Sequence, residues 1–293
     1  MNFSQRLGLE PATRQIQKNS MDQALRNGLW NTFDMVILAE LKNLWECGEE
    51  SLSRNPPNAG LFVNLWMNFF KFPLSSLPPY ADSALKEVHD WFHNKETTPW
   101  NKVYDFVEFV GGNLGGRLQD ASDAFRIVCN RFLEREFSAY RFVGKIISPI
   151  TNEAEIKAIE HAAAVDHDSL RPVSTHIETA LKLLSDRNKP DYRNSMKESI
   201  SAVEALCKII AKNDKTTLGP ALDAVAAKTK LHPKLREGFK ALYSYTSDDH
   251  GIRHALKDNG QPEEEDARFL LVTCSAFVNY LAEKTRKNGL LSQ

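Results

Sequence analysis

Tyr192-Arg-Asn-Ser-Met196-Lys-Glu-Ser-Ile200-Ser-Ala-Val203-Glu-Ala-Leu-Cys207-Lys-Ile-Ile210 sets Met196, Ile200, Val203, Cys207 and Ile210 at alternating steps of four and three. Those steps follow the 3.6-residue turn and draw one apolar stripe down an α-helix. A stripe of this length needs other helices to cover it. The flanking sequence offers them. Thr151-Asn152-Glu153-Ala-Glu155 reads as a cap followed by acids in a first helical turn. Val173 to Leu184, Leu218 to Ala227, Lys234 to Tyr245 and Glu264 to Lys287 repeat the helical period. Residues 151–293 therefore read as an antiparallel helical bundle.

Upstream, Tyr140-Arg-Phe-Val-Gly144-Lys145-Ile-Ile-Ser-Pro149-Ile150 breaks the helical pattern. Two short β-prone runs flank Gly144-Lys145, which predicts a small hairpin. We read residues 140–150 as a joint between the bundle and a first helical domain, residues 1–139. There Leu25, Leu29, Phe33, Val36, Ile37 and Leu41 form one stripe across Met21 to Leu44. Leu61 to Phe72 is apolar almost all round, which predicts a buried helix ended by Pro73, Pro78 and Pro79. Ala81 to Asn94, Trp100 to Val110 and Ser122 to Ser138 follow as helices. The expected class is mainly α, as two helical domains joined by a hairpin.

Composition narrows the chemistry. The chain has 293 residues, with 37 Lys and Arg against 38 Asp and Glu, so net charge names no partner. All five tryptophans (Trp30, Trp45, Trp66, Trp91, Trp100) precede residue 145. Cys47, Cys129, Cys207 and Cys274 are widely spaced in or beside apolar stretches, which argues against a zinc framework or disulfides and for a reducing cytosol. The first residues lack an apolar signal core. The longest apolar run, from Leu61, is too short to span a bilayer, so a soluble cytoplasmic protein without membrane partners is expected.

Several motifs invite function. Gly111-Gly-Asn-Leu-Gly-Gly116 lacks the Gly-Lys-Ser/Thr ending and the preceding strand of a phosphate loop, so it reads as an interhelical loop. His89 and His93 stand one helical turn apart, a spacing that can hold a metal. No third ligand is visible, and a half-buried amphipathic face explains the pair as well. We therefore assign no metal and no cofactor. His161, His167 and His176 form no pattern. Lys208, Lys212, Lys215, Lys228, Lys230, Lys234, Arg236 and Lys240 face only Asp214, Asp223 and Glu237 within their span. Such a run is either a solvated face or a cationic apron for RNA, with Lys208, Lys212, Lys228, Lys230, Lys234 and Arg236 as its contacts.

One cluster remains. Tyr245-Thr246-Ser247-Asp248-Asp249-His250-Gly251-Ile252-Arg253-His254 crowds two imidazoles, a guanidinium, two carboxylates and two hydroxyls around a glycine. Imidazole moves protons near neutral pH, and guanidinium matches phosphate with two parallel donors. His254 and Arg253, with His250 and Asp248, are thus a candidate set for cleaving RNA without a metal. A capped polar turn laced with ion pairs explains the same residues structurally. Glu204 on the long helix is a candidate to reach the cluster.

At these residues the chain resembles bacterial abortive-infection proteins of the AbiJ type. Phe3-Ser-Gln-Arg6-Leu-Gly8 and Met21-Asp-Gln-Ala-Leu-Arg26-Asn27-Gly-Leu-Trp30-Asn31 are similar to the start of an AbiJ N-terminal domain. Asp191-Tyr192-Arg193-Asn194-Ser195 through Glu204, with Gly251-Ile-Arg253-His254, resembles the HEPN-like C-terminal domain joined to it. The resemblance implies anti-phage defence, a HEPN bundle that dimerises, and metal-independent RNA cleavage triggered by infection. It implies an N-terminal domain that senses a phage-derived trigger or restrains the effector. The sequence departs from the family pattern at one point: an active HEPN site carries an arginine with four to six residues between it and its histidine. Counting back from His254, that place falls near Ser247 to Asp249, which holds none. Arg253 acting from another turn, a dimer mate's arginine, or a catalytically dead site each fits. The competing expectation is a non-catalytic HEPN-like module that binds RNA or holds a partner toxin.

Overall fold

The computed structural model describes residues 15–44, 56–114, 118–164, 170–186, 189–247 and 262–290, together with Phe3 and Leu7. Among these residues the chain is mainly α, with one two-stranded hairpin. It divides into two compact units, Met1–Pro149 and Ile150–Gln293.

In the first unit, α1 (Gln23–Thr32) starts where the Asp22 side chain accepts the Leu25 amide, a helix cap. It runs through a π-helical segment, Phe33–Leu38, into α2 (Ala39–Leu44). The expected stripe supplies the reason. Leu25, Leu29, Phe33, Ile37 and Leu41 repeat every four residues and are all buried, while Val36 is only half-buried. On a pure α-helix a step of four drifts about 40° each time, so the stripe would wind off the core. A wider π turn takes up the surplus and keeps it facing inward.

The same device recurs one element later. Following α3 (Pro56–Asn64), a second π segment, Leu65–Phe70, ends at Lys71 in the left-handed region, φ 58°. Leu61, Phe62, Leu65 and Trp66 are buried, but Met67 and Phe72 are about half exposed, at 51% and 50%. The all-round burial expected of this helix is thus corrected. One side enters the core, and the left-handed turn carries Phe72 out, where it stacks on Phe70 at 5.4 Å.

Helices α4 (Ala81–His93), α5 (Trp100–Asn113) and α6 (Gln119–Arg135) complete this core. Gly111 and Gly112, expected in a loop, lie in the last turn of α5. A Cβ on Gly111 would stand 2.8 Å from Cζ of Phe142, so the glycine lets the hairpin ring close onto the helix.

That hairpin pairs β1 (Arg141–Val143) with β2 (Ile146–Ser148) across Gly144-Lys145, Gly144 taking φ 57°. It is tied to the first unit. Asn130 donates to the Phe142 carbonyl at 3.0 Å and accepts its amide at 2.7 Å, and Glu108 accepts the Ile147 amide at 2.6 Å.

The second unit is the helical bundle. It contains α7 (Glu153–Ala163), α8 (Arg171–Ser185), α9 (Tyr192–Ala211), α10 (Leu218–Thr229), α11 (Pro233–Ser247) and α12 (Glu264–Lys287). Asn152 caps α7 by accepting the Ala154 and Glu155 amides, as its sequence predicts. All five stripe residues of α9 are buried, and α9 packs against α8, α10, α11 and α12. Helices α8 and α9 run antiparallel, with the buried Ser195 hydroxyl donating to the Ala180 carbonyl at 2.8 Å. Helix α12 also covers α7, where Asn279 donates to the Ala158 carbonyl at 2.9 Å. Phe239 of α11 stacks on Phe277 of α12 at 3.3 Å.

Candidate functional site

The polar cluster enters from α11, whose final described side chain, Tyr245, is 48% exposed. Asp248, His250, Arg253 and His254 lie outside the described residues, as does His167. The geometry on either side of them is defined. The chain returns at Glu263, which caps α12 in a box: Asp266 accepts the Glu263 amide at 3.0 Å, and Glu263 reciprocates at the Asp266 amide. The acids Glu264, Glu265 and Asp266 fill the first turn, where the helix dipole favours them.

Helices α9 and α12 begin at the same end of the bundle. Burial raises the Tyr192 phenol above its ordinary range, and the charges of Glu264 and Glu265 raise it further. At the other end, Lys284 of α12 donates to the carbonyls of Thr229 and Lys230, and Lys228 to that of Ile210. The start of α12 therefore lies near the start of α9. There Asp191 accepts the Asn194 amide at 3.0 Å.

The expected RNA contacts sort into two groups. Lys208 pairs with Glu204 at 2.6 Å, one turn away on α9, so that carboxylate neutralises a lysine. Lys234 pairs with Glu237 at 2.8 Å. Arg236 and Lys240 share Asp223 at 3.3 and 2.7 Å, and Lys228 binds the Ile210 carbonyl at 3.1 Å. Among the described residues, Lys212, Lys215 and Lys230 make no ion pair. Lys212 and Lys230 end α9 and α10 in the left-handed region, φ 56° and 53°. Those carbonyl-rich helix ends favour positive charge.

The structure also joins residues that the sequence leaves scattered. His176 of α8 and Glu198 of α9 meet at 2.6 Å with both side chains about one-third exposed, at 35% and 31%. Their separation of 22 positions hides the pair, because only the antiparallel packing of α8 on α9 creates it. His232 accepts the Lys234 amide and opens α11, a capping role.

In the first unit, His89 and His93 lie with ring centroids 4.3 Å apart. Trp30 of α1 packs T-shaped against both, at 4.9 and 5.4 Å between centroids. Burial lowers the His93 imidazole, with the charges of His89 and Arg26 acting the same way. Arg26 is buried and donates to the carbonyls of Phe92 at 2.6 Å and Thr98 at 2.9 Å. Among the described residues, no three His, Cys, Asp or Glu side chains gather as a metal cluster. No described helix is long and apolar enough to cross a membrane.

Neither the curated proteins nor the solved structures gave a match to this chain. The profile of AbiJ N-terminal domain 4 matches residues 1–165. That stretch takes in the whole first unit, the hairpin and helix α7 of the second. More than half of the sequence falls under that profile, and the chain belongs to the AbiJ N-terminal domain 4 family of abortive-infection proteins.

Proposed function

We propose that the protein is an anti-phage effector whose C-terminal bundle cleaves RNA without a metal. In this reading His254 moves the proton, Arg253 steadies the charge that builds on the phosphate, and the N-terminal unit answers a phage-derived trigger. The observation that carries it is the pairing of an AbiJ-family N-terminal region with a second, separately cored helical unit. Into that unit, between α11 and α12, the chain inserts its densest run of proton-transfer and phosphate-binding side chains. Lys212, Lys215 and Lys230 supply cations that no carboxylate neutralises among the described residues. A two-fold pairing of the bundle is supported by the exposed stripe of Phe269, Ala276 and Tyr280 along α12, with Leu235 on α11.

Purified protein incubated with total cellular RNA in chelator should leave 2′,3′-cyclic phosphate ends. Intact RNA at high protein concentration would sink the catalytic reading. A specific observation favours the second reading, a binding module without catalysis. The acids that open α12 repel a polyanion, and Lys208, Lys234 and Arg236 already have carboxylate partners. RNA that is neither cleaved nor retarded would support that module as one that holds a partner toxin.

A further inference from the structure

We propose that His89 and His93 form an exchangeable Zn2+ site on the last turn of α4. Tautomers carry the argument. Nδ1 of His93 lies 3.2 Å from the His89 carbonyl oxygen, and Nδ1 of His89 lies 3.4 Å from the Asp90 carboxylate. Carbonyl and carboxylate oxygens only accept, so each Nδ1 carries its ring's proton and donates it. Each neutral ring therefore keeps its lone pair on Nε2. That is the arrangement of zinc-ligating histidines, whose other nitrogen donates to a carbonyl or a carboxylate that fixes the ring.

The rings are one helical turn apart, 4.3 Å between centroids, and Trp30 packs T-shaped against both. Two imidazoles supply two corners of a tetrahedron, at the usual Zn–N length of about 2.0–2.1 Å, and water fills the others. No third protein ligand stands with them among the described residues, so the ion exchanges with solvent and is not a structural zinc. Arg26 opposes the cation and Asp90 favours it; the guanidinium is turned to the Phe92 and Thr98 carbonyls. Those two carbonyls belong to the end of α4 and the turn after it. A zinc ion across His89 and His93 therefore stiffens the same turn that anchors α1 through Arg26.

The full-length protein, stripped with chelator and dialysed, is titrated calorimetrically with Zn2+. The expected result is a binding step, and a matching rise in Tm, that His89→Gln plus His93→Gln removes. Cu2+ should quench tryptophan emission in the parent more than in the double variant, because Trp30 touches both rings. Equal Zn2+ uptake by the double variant, or no uptake by the parent, overturns the proposal. Should the double variant misfold by circular dichroism, Asp90→Asn decides. It keeps both rings and should weaken Zn2+ about tenfold, whereas unchanged affinity overturns the site.

Discussion

Arg26 is a buried cation that faces two carbonyl oxygens. Burial lowers its guanidinium from its ordinary value, yet the planar fork can satisfy both acceptors at once. Arg26→Met should orphan both carbonyls and cost about 2–4 kcal/mol in urea denaturation. Glu108 sets up a pH effect. Burial raises its carboxyl above the usual glutamate range, against the opposing Ile147 hydrogen bond. The folded chain thus holds that proton more tightly than the unfolded chain. This contribution to stability is complete below the ordinary glutamate value and is lost as pH rises through the raised one. Glu108→Gln keeps the side chain neutral, so its stability relative to the parent should climb as pH rises from the ordinary glutamate value through the raised one. A constant difference across that range would place the cost elsewhere. Burial also pushes the thiols of Cys207 and Cys274 up to about 12, and that of Cys129 well above its usual value. All three should resist alkylation at pH 8 until the protein is denatured, as mass spectrometry can check.

At the scale of elements, three lysines sit where glycine is cheaper. Lys71, Lys212 and Lys230 end helical segments with φ between 53° and 58°. Lys→Gly at each should raise stability by up to about 1 kcal/mol, since a left-handed Cβ is strained. If RNA binding is real, Lys212→Gly and Lys230→Gly should also weaken it, while Lys71→Gly should not. Filter binding across salt concentrations reads that difference. Gly111→Ala runs the other way, losing about 1–3 kcal/mol as Phe142 is displaced. These helices were largely legible beforehand. The stripe of α9, the Asn152 cap and the Gly144-Lys145 hairpin are written in local spacing and propensity. The π segments were legible in principle, because strict steps of four cannot stay on one α-helical face. By contrast, the need for glycine at position 111 comes from a ring thirty-one positions later, which no local pattern carries. The His176–Glu198 pair and the pairs of Arg236 and Lys240 with Asp223 arise from packing between helices, so they too needed the fold.

For the whole molecule, each unit has its own buried core, and residues 150–293 should fold alone with a helical spectrum. If the N-terminal unit restrains the effector, that fragment should be at least as toxic in cells as the intact chain. A folded but harmless fragment, beside a toxic full-length protein, would assign the first unit a part in the activity. The match to the AbiJ family ends at residue 165, sixteen positions past the boundary between units. Its final helix, α7, lays Ile156, Ile159 and Ala162 into the second core and packs on α8 and α12. A chimera that joins this family region to a foreign effector at residue 165 would carry away a wall of the native bundle. It would also leave residues 166–293 with an open apolar seam, prone to aggregate. Modules of this chain are therefore interchangeable only at the hairpin's exit, near Pro149, and swaps made at the family's own border should fail by insolubility before function can be assayed.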